Sequence, residues 1–478
     1  MQVRPLTAWL IPLLVVAGGL GAGASEVKLS DAVKAGEWGV VSALLRGGAD
    51  PNAASADGTS ALQWAVHADD LDTARLLVEA GAGVNVTNRN GARPLSLACV
   101  NANPEMVSLL LAAGADPSLP SSGEPPLLTC ARSGRIEAAE HLLGHGADVN
   151  ATDNWKGQTA LMWAAAENHS AMVELLLARG SDVQASSTDG GFTALMFAAR
   201  QGALSSTRIL LEAGADARAA ARSGVTLLHI AVSNRQYTIG TLLLDHGADP
   251  NATDKQGQTA LHALVQARAP VRRQRNPELR DWQDSLDFMR ILLARGADPN
   301  LRTKTAPRLT DKGTSSAIQP VIDNRTNLGD ATPLLLAARA SDVEVMRLLV
   351  EYEADPQLAT SGNNTVLMLA AGVVFVEGSA PFRTEAEALE AVRLALALGI
   401  DVNAVNDHGQ TALHGAVYRA ANTIIEELMA AGANADLEDE RGRTPLRLAE
   451  EGFNQVASLI RRDRAVELLR RLASGGSS

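Results

Sequence analysis

The chain has 478 residues, a formal net charge of −12 and only 3% aromatic residues. This acidity and this scarcity of aromatic rings argue against nucleic-acid binding, which needs a basic face or stacking platforms. The charge is spread over a long chain and mainly favours solubility.

The first 24 residues have the organisation of a secretory signal. Arg4 precedes an apolar run from Leu6 to Leu20, and residues 22–24 (Ala-Gly-Ala) form a small-residue cleavage site. The run has 15 residues, fewer than the ~20 that a membrane span needs. We therefore expect cleavage before Ser25 and an exported product, periplasmic or secreted, without stable membrane insertion. The style of the signal suggests a bacterial protein. The alternative is an uncleaved membrane anchor.

After this segment, a turn glycine recurs at nearly constant spacing. Successive separations are 33, 32, 34, 34, 33 and 33 residues, and the interval towards the C-terminus is again 33. The glycines that define this period are Gly58, Gly91, Gly123, Gly157, Gly191, Gly224 and Gly257, followed later by Gly409 and Gly442.

The copy that contains Thr159 shows the physical basis of one repeat. Thr159 is placed to cap a first helix, predicted from Ala160 to Glu167. A second helix, predicted from Ala171 to Ala178, carries apolar residues at helical spacing. Gly180 ends it, because a left-handed C-cap costs glycine little. One such unit cannot bury its apolar face alone, so the copies must stack.

A repeat of this period, with a turn and two helices, resembles the ankyrin repeat. Residues 226–231 read Thr-Leu-Leu-His-Ile-Ala, and residues 243–251 read Leu-Leu-Asp-His-Gly-Ala-Asp-Pro-Asn. The resemblance covers roughly Leu29 to Leu472. It implies an all-α solenoid of stacked helix-turn-helix units with β-turn fingers, about twelve repeats including caps. This solenoid occupies residues 25–472, and residues 473–478 form a flexible tail.

Both ends of the solenoid are predicted to be capping units. Trp38, Leu44 and Leu45 serve the N-terminal cap, and a charged helix from Arg461 to Leu472 serves the C-terminal cap. One copy between them departs from the pattern. Glu353 stands where the other copies have the glycine that ends the second helix, so we expect a left-handed glutamate there.

Three inserts interrupt the repeats, near residues 270–283, 301–328 and 373–384. The first and third lie between the two helices of a copy, and the second lies in a turn between copies. Insertions into repeats map to loops on one face, which is often the binding face. Neutral surface loops are the alternative.

No catalytic or metal-binding motif stands out, so we expect no enzymatic activity, no metal and no cofactor. The resemblance assigns a structural role to the histidine of Thr-x-Leu-His, which is His229, His262 or His414. Cys99 and Cys130 replace alanines of the first helix and are expected to be buried, with a disulfide as the alternative. An aromatic slot precedes the alanine pair, and in the family it belongs to the core. Its members are Trp64, Trp163 and Phe197.

The resemblance implies that the residues after the alanine pair face a concave groove where ankyrin proteins bind partners. These positions are rich in arginine, a residue type that is enriched at interface hot spots, although an ordinary solvated face is the alternative. They are occupied by His67, Arg132, Glu167, Arg200, Gln201, Gln266, Arg339, Tyr418 and Arg419.

The inserts add a basic segment and an apolar one. From Arg268 to Lys312 there are eleven basic and six acidic residues, a local excess of +5 in a chain of −12. A basic loop beside an apolar loop would make a docking site. The candidate partner-binding residues of the inserts are Arg272, Arg273, Arg275, Phe375 and Phe382.

The sequence therefore predicts a monomeric, non-catalytic interaction module. It would bind a protein partner of unknown identity on its concave face and insert loops, in the periplasm or outside the cell. Two alternatives are an enzyme whose site is hidden in the inserts and a purely structural, membrane-anchored spacer.

Overall fold

A computed structural model describes residues 28–101, 103–268, 279–304, 329–373, 384–451 and 463–473. In these ranges, 24 α-helices follow one another as twelve pairs. The contacts divide the chain into two compact units, residues 1–116 and 117–478. The predicted all-α repeat architecture is confirmed.

The first unit has three helix pairs in its described residues. They are α1 (Leu29–Lys34) with α2 (Trp38–Arg46), α3 (Ala61–His67) with α4 (Leu71–Glu79), and α5 (Pro94–Asn101) with α6 (Pro104–Ala112). The first helices α1, α3 and α5 pack in one layer, and α4 packs on α6 beside them. In the N-terminal pair, Val41 is buried, whereas Trp38 is 50% exposed. The contribution of Trp38 to the cap's core is therefore small.

The second unit has nine helix pairs in its described residues. The first helices are α7 (Pro126–Ser133), α9 (Ala160–Ala166), α11 (Ala194–Gln201), α13 (Leu227–Ser233), α15 (Ala260–Arg268), α17 (Pro333–Arg339), α19 (Val366–Ala371), α21 (Ala412–Tyr418) and α23 (Pro445–Glu451). The second helices are α8 (Ile136–Gly144), α10 (Ser170–Ala178), α12 (Leu204–Glu212), α14 (Tyr237–Asp245), α16 (Leu279–Ala294), α18 (Val343–Glu351), α20 (Glu385–Ala397), α22 (Asn422–Ala430) and α24 (Asp463–Ala473). Each first helix packs on the first helices of the adjacent copies in this unit, and the second helices form a second layer.

The copy built from α9 and α10 matches its sequence prediction. The Thr159 hydroxyl accepts a hydrogen bond from the backbone N–H of Met162 at 3.3 Å and so caps α9. Ala164 and Ala165 are fully buried, which lets the neighbouring first helices pack closely. Gly180 ends the second helix in the left-handed region, with φ +85°.

Adjacent copies are also joined by an asparagine in the finger. Asn251 donates to the carbonyl of Gly296 at 2.8 Å and accepts from the backbone N–H of Asp298 at 2.7 Å. Asn300 donates in the same way to the carbonyl of Glu353 at 3.0 Å. The copies on either side of the second insert are therefore linked by the same kind of contact as the two copies that Asn251 joins.

The first insert is partly helical, which corrects the prediction of a loop over residues 270–283. α16 begins at Leu279 and has 16 residues, whereas α14 has nine. Phe288 of α16 is buried and stacks on Tyr237 with ring centroids 5.4 Å apart, so the long helix is packed into the unit. α20 is also long, with 13 residues. The rest of the inserts, residues 269–278, 305–328 and 374–383, lies outside the described residues.

At the C-terminal end, α24 packs on α22 and α23. Leu468 and Leu469 are buried, while Arg470 pairs with Glu450 at the surface, at 2.5 Å. This arrangement of a buried apolar stripe under a charged outer face is what a terminal cap requires. Residues 452–462 and the predicted tail beyond Ala473 lie outside the described ranges.

We expect Glu353→Gly to stabilise its copy by ~1 kcal/mol. Glu353 has φ +64°, a conformation in which every side chain except that of glycine strains the backbone. Its charge also lies at the negative end of the α18 dipole. The higher entropy of glycine in the unfolded chain will offset part of the gain. Amide hydrogen exchange in α18 measures the change.

The matched control for this substitution is Gly214→Glu. Gly214 has φ +89° and open space where a Cβ would stand, so the loss of stability reports the backbone cost alone. Amide hydrogen exchange should become slower in Glu353→Gly and faster in Gly214→Glu, by similar factors. Faster exchange in Glu353→Gly would show that the glutamate makes a stabilising contact.

Candidate functional site

We define the first-helix face of the second unit as the C-terminal ends of its first helices together with the residue that precedes each helix N-cap. In several copies these two positions contact each other. Glu124 accepts a hydrogen bond from Nη1 of Arg132 at 3.3 Å, and its other carboxylate oxygen forms an ion pair with Nη2 at 3.2 Å. Gln266 donates to the side-chain oxygen of Gln258 at 3.1 Å. We call the residue that precedes each N-cap the finger residue. In these copies it pairs with the polar side chain at the end of the first helix.

Arg132 is also held by an aromatic ring. Its guanidinium carbon lies 5.2 Å from the centroid of the Trp163 ring, in the next copy. A cation over the face of an indole is attracted by the ring quadrupole. Since its side chain is still 42% exposed, Arg132 is ordered and reachable from solvent at the same time.

Arg200 has an aromatic environment without a carboxylate. Its guanidinium carbon lies 5.1 Å from the centroid of the Phe197 ring. The finger residue of this copy is Phe192, whose ring centroid lies 6.0 Å from that of Phe197. Arg200 is exposed, so its guanidinium contacts the Phe197 ring and is open to solvent at the same time.

Arg339 occupies the corresponding position of α17. Its finger residue is Ala331, whose side chain offers no acceptor. Arg339 is half-buried, and burial lowers the pKa of its guanidinium. Among the described residues, no hydrogen-bond acceptor or carboxylate pairs with it.

Tyr418 and Arg419 correct the expectation of an open face in the copy of α21. Tyr418 is buried, and its hydroxyl accepts from Gln410 at 2.8 Å. Arg419 is half-buried and donates to the Ser341 hydroxyl and to the carbonyl of Ala370, each at 3.4 Å. In this copy the predicted contact residues hold the repeats together.

The remaining predicted residues of the first helices are exposed or half-buried. Glu167 and Gln201 are exposed at the ends of α9 and α11, and Gln266 is half-buried. In the first unit, His67 is exposed and lies edge-on to Trp64, with ring centroids 6.1 Å apart. The insert candidates Arg272, Arg273, Arg275, Phe375 and Phe382 lie outside the described residues.

Arg268, which the sequence places at the start of the basic segment, is a buried structural residue. Its side chain is 2% exposed and donates to Asp342 at 3.0 Å, to Ser285 at 2.6 Å and to Glu344 at 3.3 Å. The Asp342 carboxylate is also 2% exposed and caps α18. Arg268 therefore ties α15 to α16 and α18, and it does not contribute to a basic docking surface.

The three histidines of Thr-x-Leu-His join adjacent copies. In each, Nε2–H donates to a backbone carbonyl of the following copy: His229 to Gln258 at 2.9 Å, His262 to Ala331 at 3.1 Å and His414 to Arg443 at 3.0 Å. Because a carbonyl only accepts, Nε2 carries the proton and Nδ1 is an acceptor.

The Nδ1 atoms of these histidines also have hydrogen-bond partners. His262 Nδ1 lies 2.8 Å from the hydroxyl of Thr259 and accepts from that residue's backbone N–H at 3.2 Å. Burial is the main cause that lowers the pKa of all three imidazoles, and it brings the pKa of His262 to about 4. They are therefore neutral structural bridges, as the resemblance implied.

Family models confirm the repeat assignment. The model "Ankyrin repeats (3 copies)" matches residues 29–121, 127–221, 180–254 and 217–303, which is more than half of the chain. This chain belongs to the ankyrin repeat family. Two further ankyrin models match residues 394–449 and 330–361.

Two known proteins show the extent of the similarity. The E3 ubiquitin-protein ligase KEG of Arabidopsis thaliana is 29% identical over 193 residues, which are 36% of this chain and 11% of the ligase. This chain thus spans about a tenth of that relative's length. The crystal structure of the human ASB11 ankyrin repeat domain is 25% identical, covers 47% of this chain and 100% of its own, and has a TM-score of 0.43.

The ankyrin fingers are part of this surface, although the repeat positions did not predict it. Glu124 and Phe192 each precede a helix N-cap and contact the arginine or aromatic ring of the same copy. Trp155, at a finger tip, is 61% exposed. A large aromatic residue two positions before a turn glycine is the signal that could have revealed Trp155.

Cys99 and Cys130 are buried thiols. Within the described ranges, no group of three or more His, Cys, Asp and Glu side chains is arranged to hold a metal ion. In the same ranges, no helix combines the length and apolar character that crossing a membrane requires.

Proposed function

We propose that this ankyrin repeat protein binds a partner protein on the first-helix face of its second unit. The observation that carries the proposal is the pair of exposed arginines, Arg132 and Arg200, each held over an aromatic ring. Ordered arginine and aromatic side chains lose little conformational entropy on binding and are typical of interface hot spots. The ankyrin fold itself supports protein interaction as the general function.

A non-catalytic role agrees with how the titratable groups are used. The three Thr-x-Leu-His histidines are engaged on both ring nitrogens, and the buried Asp342 is paired with Arg268. A general base needs a free position within reach of a substrate proton. The activity in the name of the plant relative belongs to a protein of which this chain matches only a small part.

We also propose that the protein acts as a monomer outside the cytoplasm after cleavage before Ser25. The support is the basic, apolar and small-residue order of residues 1–24. N-terminal sequencing of the product from its own host tests this. An intact Met1 on a membrane-bound product would overturn the proposal and favour an anchored spacer.

Site-specific photocrosslinking in the native compartment tests the binding face. A photoreactive residue at Gln201, exposed on the first-helix face, should give one dominant crosslinked protein. The same residue at Arg208, exposed on α12 in the second layer, is the control and should not. Equal products at both positions would contradict a specific first-helix face.

A further inference from the structure

The following inference rests on the proposed function and specifies the chemistry of the partner. We infer that Arg200 and Arg339 anchor an extended acidic segment of the partner protein, with one carboxylate on each guanidinium. Arg132 belongs to the same face but is already paired within the chain.

The identity of the finger residue separates Arg200 and Arg339 from Arg132 and Gln266. Where the helix end carries Arg132 or Gln266, the finger supplies Glu124 or Gln258 as its hydrogen-bond partner. In the copies of Arg200 and Arg339, the finger supplies a phenylalanine and an alanine instead. Among the described residues, neither arginine has an acceptor, so their N–H donors remain for an external one.

Both arginine side chains are restrained before binding. Phe197 lies under the guanidinium of Arg200, and α17 holds Arg339 half-buried. A planar guanidinium in a fixed position matches the two oxygens of a carboxylate and can form two parallel hydrogen bonds. Partial removal from water strengthens such a bond relative to one between two fully solvated groups.

The charge of the residues between the two arginines also determines what can bind across the face. At the corresponding position of the two intervening copies stand Ser233 and Gln266, which are neutral. The nearby carboxylate of Asp342 is buried and paired with Arg268. At this position of the repeat, a segment that crosses the face therefore meets two guanidiniums with neutral polar side chains between them.

The separation of the anchors gives the spacing of the acidic residues. Arg200 and Arg339 are three copies apart, and packed helices lie about 8–10 Å from one another, so the anchors are roughly 25–30 Å apart. An extended chain advances about 3.3–3.6 Å per residue. The two acidic residues of the partner should therefore be about seven to nine positions apart.

The test uses the full mature chain and labelled twelve-residue peptides of glycine, serine and leucine. One peptide carries glutamates nine positions apart, a second carries them three apart, and a third carries lysines in place of the distant glutamates. Fluorescence anisotropy should rank the widely spaced acidic peptide first and the lysine peptide last. Each of Arg200→Gln and Arg339→Gln should weaken the first peptide by roughly three- to tenfold, the effect of losing one charge-assisted contact.

Matched controls separate this contact from general charge. Arg208→Gln and Arg347→Gln remove exposed arginines from α12 and α18, so they change the net charge equally and should leave affinity unchanged. Phe192→Glu should weaken binding as Arg200→Gln does, because it supplies an internal carboxylate as Glu124 does for Arg132. Glu124→Gln should strengthen binding of acidic peptides by releasing Arg132.

Three results would overturn the inference: no binding of the acidic peptides, equal binding of the lysine peptide, or unchanged affinity in both arginine variants. Circular dichroism confirms that each variant is folded, and Phe192→Glu provides a second test that leaves both arginines in place. A partner that still crosslinks through Gln201 when both arginines are glutamine would leave the proposed function standing and reject the acidic segment.

Discussion

Arg268→Met is expected to remove about 3–5 kcal/mol of stability from the copies around α15 and α18, the usual result of breaking a buried ion pair. Because methionine fills a similar volume, the loss of stability comes from the buried charge of Asp342 that remains. The Asp342 carboxylate, 2% exposed, would lose the guanidinium that lies 3.0 Å away. Ser285 would lose its donor as well. Hydrogen exchange in α15, α16 and α18 measures the effect locally, because repeat arrays can open in parts.

Arg290→Met is the matched control for this substitution. Arg290 pairs with Asp287 at 2.9 Å within α16, but the two side chains are 52% and 54% exposed. Exposed pairs contribute only about 0–1 kcal/mol, so this variant should resemble the wild type. Adding Asp342→Asn to Arg268→Met should recover part of the loss, because asparagine keeps the α18 cap without a buried charge. Similar hydrogen-exchange rates in Arg268→Met and Arg290→Met would contradict the structural role of Arg268.

Acidification is expected to destabilise the protein through the neutral histidine bridges. Burial lowers the pKa of His262 to about 4, whereas an exposed imidazole has a pKa of about 6.5. Below about pH 6.5 the unfolded chain binds a proton at this imidazole, whereas the folded chain binds it only near pH 4. The free energy of unfolding therefore falls as the pH falls. Between about pH 7.5 and about pH 4.5, His262 alone should account for roughly 2.5 kcal/mol of this loss.

The same chain contains a bridge that does not titrate. In the first unit, Gln63 occupies the equivalent position: its amide nitrogen donates to the carbonyl of Ala92 at 2.7 Å, and its oxygen accepts from the backbone N–H of Ser60 at 2.8 Å. His262→Gln should therefore keep most of the stability near neutral pH and flatten its decline in acid. His145→Gln, at an exposed position in the second unit, is the control and should leave the pH profile unchanged.

Denaturant unfolding followed at several pH values, with hydrogen exchange at α15 and α17 as the local readout, distinguishes the outcomes. An unchanged acid slope in His262→Gln would mean that His262 is not neutral in the folded protein. His229 and His414, whose pKa values are lowered by the same burial, should add to the slope in their own copies.

The repeat architecture was predictable because its causes are local. A turn glycine, a capping threonine and an apolar stripe at helical spacing recur in each copy, and these are enough to set helix starts, ends and stacking. Glu353 shows how far this reasoning extends. Its position in the repeat predicted a left-handed backbone, and the structure has φ +64° there.

The surface chemistry was less predictable because it depends on which residues meet across fingers, helices and copies. The repeat position placed Arg132, Arg200, Arg339 and Tyr418 in one class, but their surroundings separate them. Glu124 pairs with Arg132, the Phe197 ring lies under Arg200, Arg339 is half-buried, and Tyr418 is buried. The Trp163 ring beside Arg132 comes from the next copy, so the sequence of one copy does not by itself determine these surroundings.

Arg268 shows the same limit most clearly. In the sequence it opens a run of basic residues, which favours a solvated loop. In the structure, residues 74 and 76 positions further along the chain bring two carboxylates to it, and Ser285 completes the cluster. The period of a repeat determines the backbone position of each side chain. The charge state, partners and exposure of that side chain depend on the residues that stacking places around it.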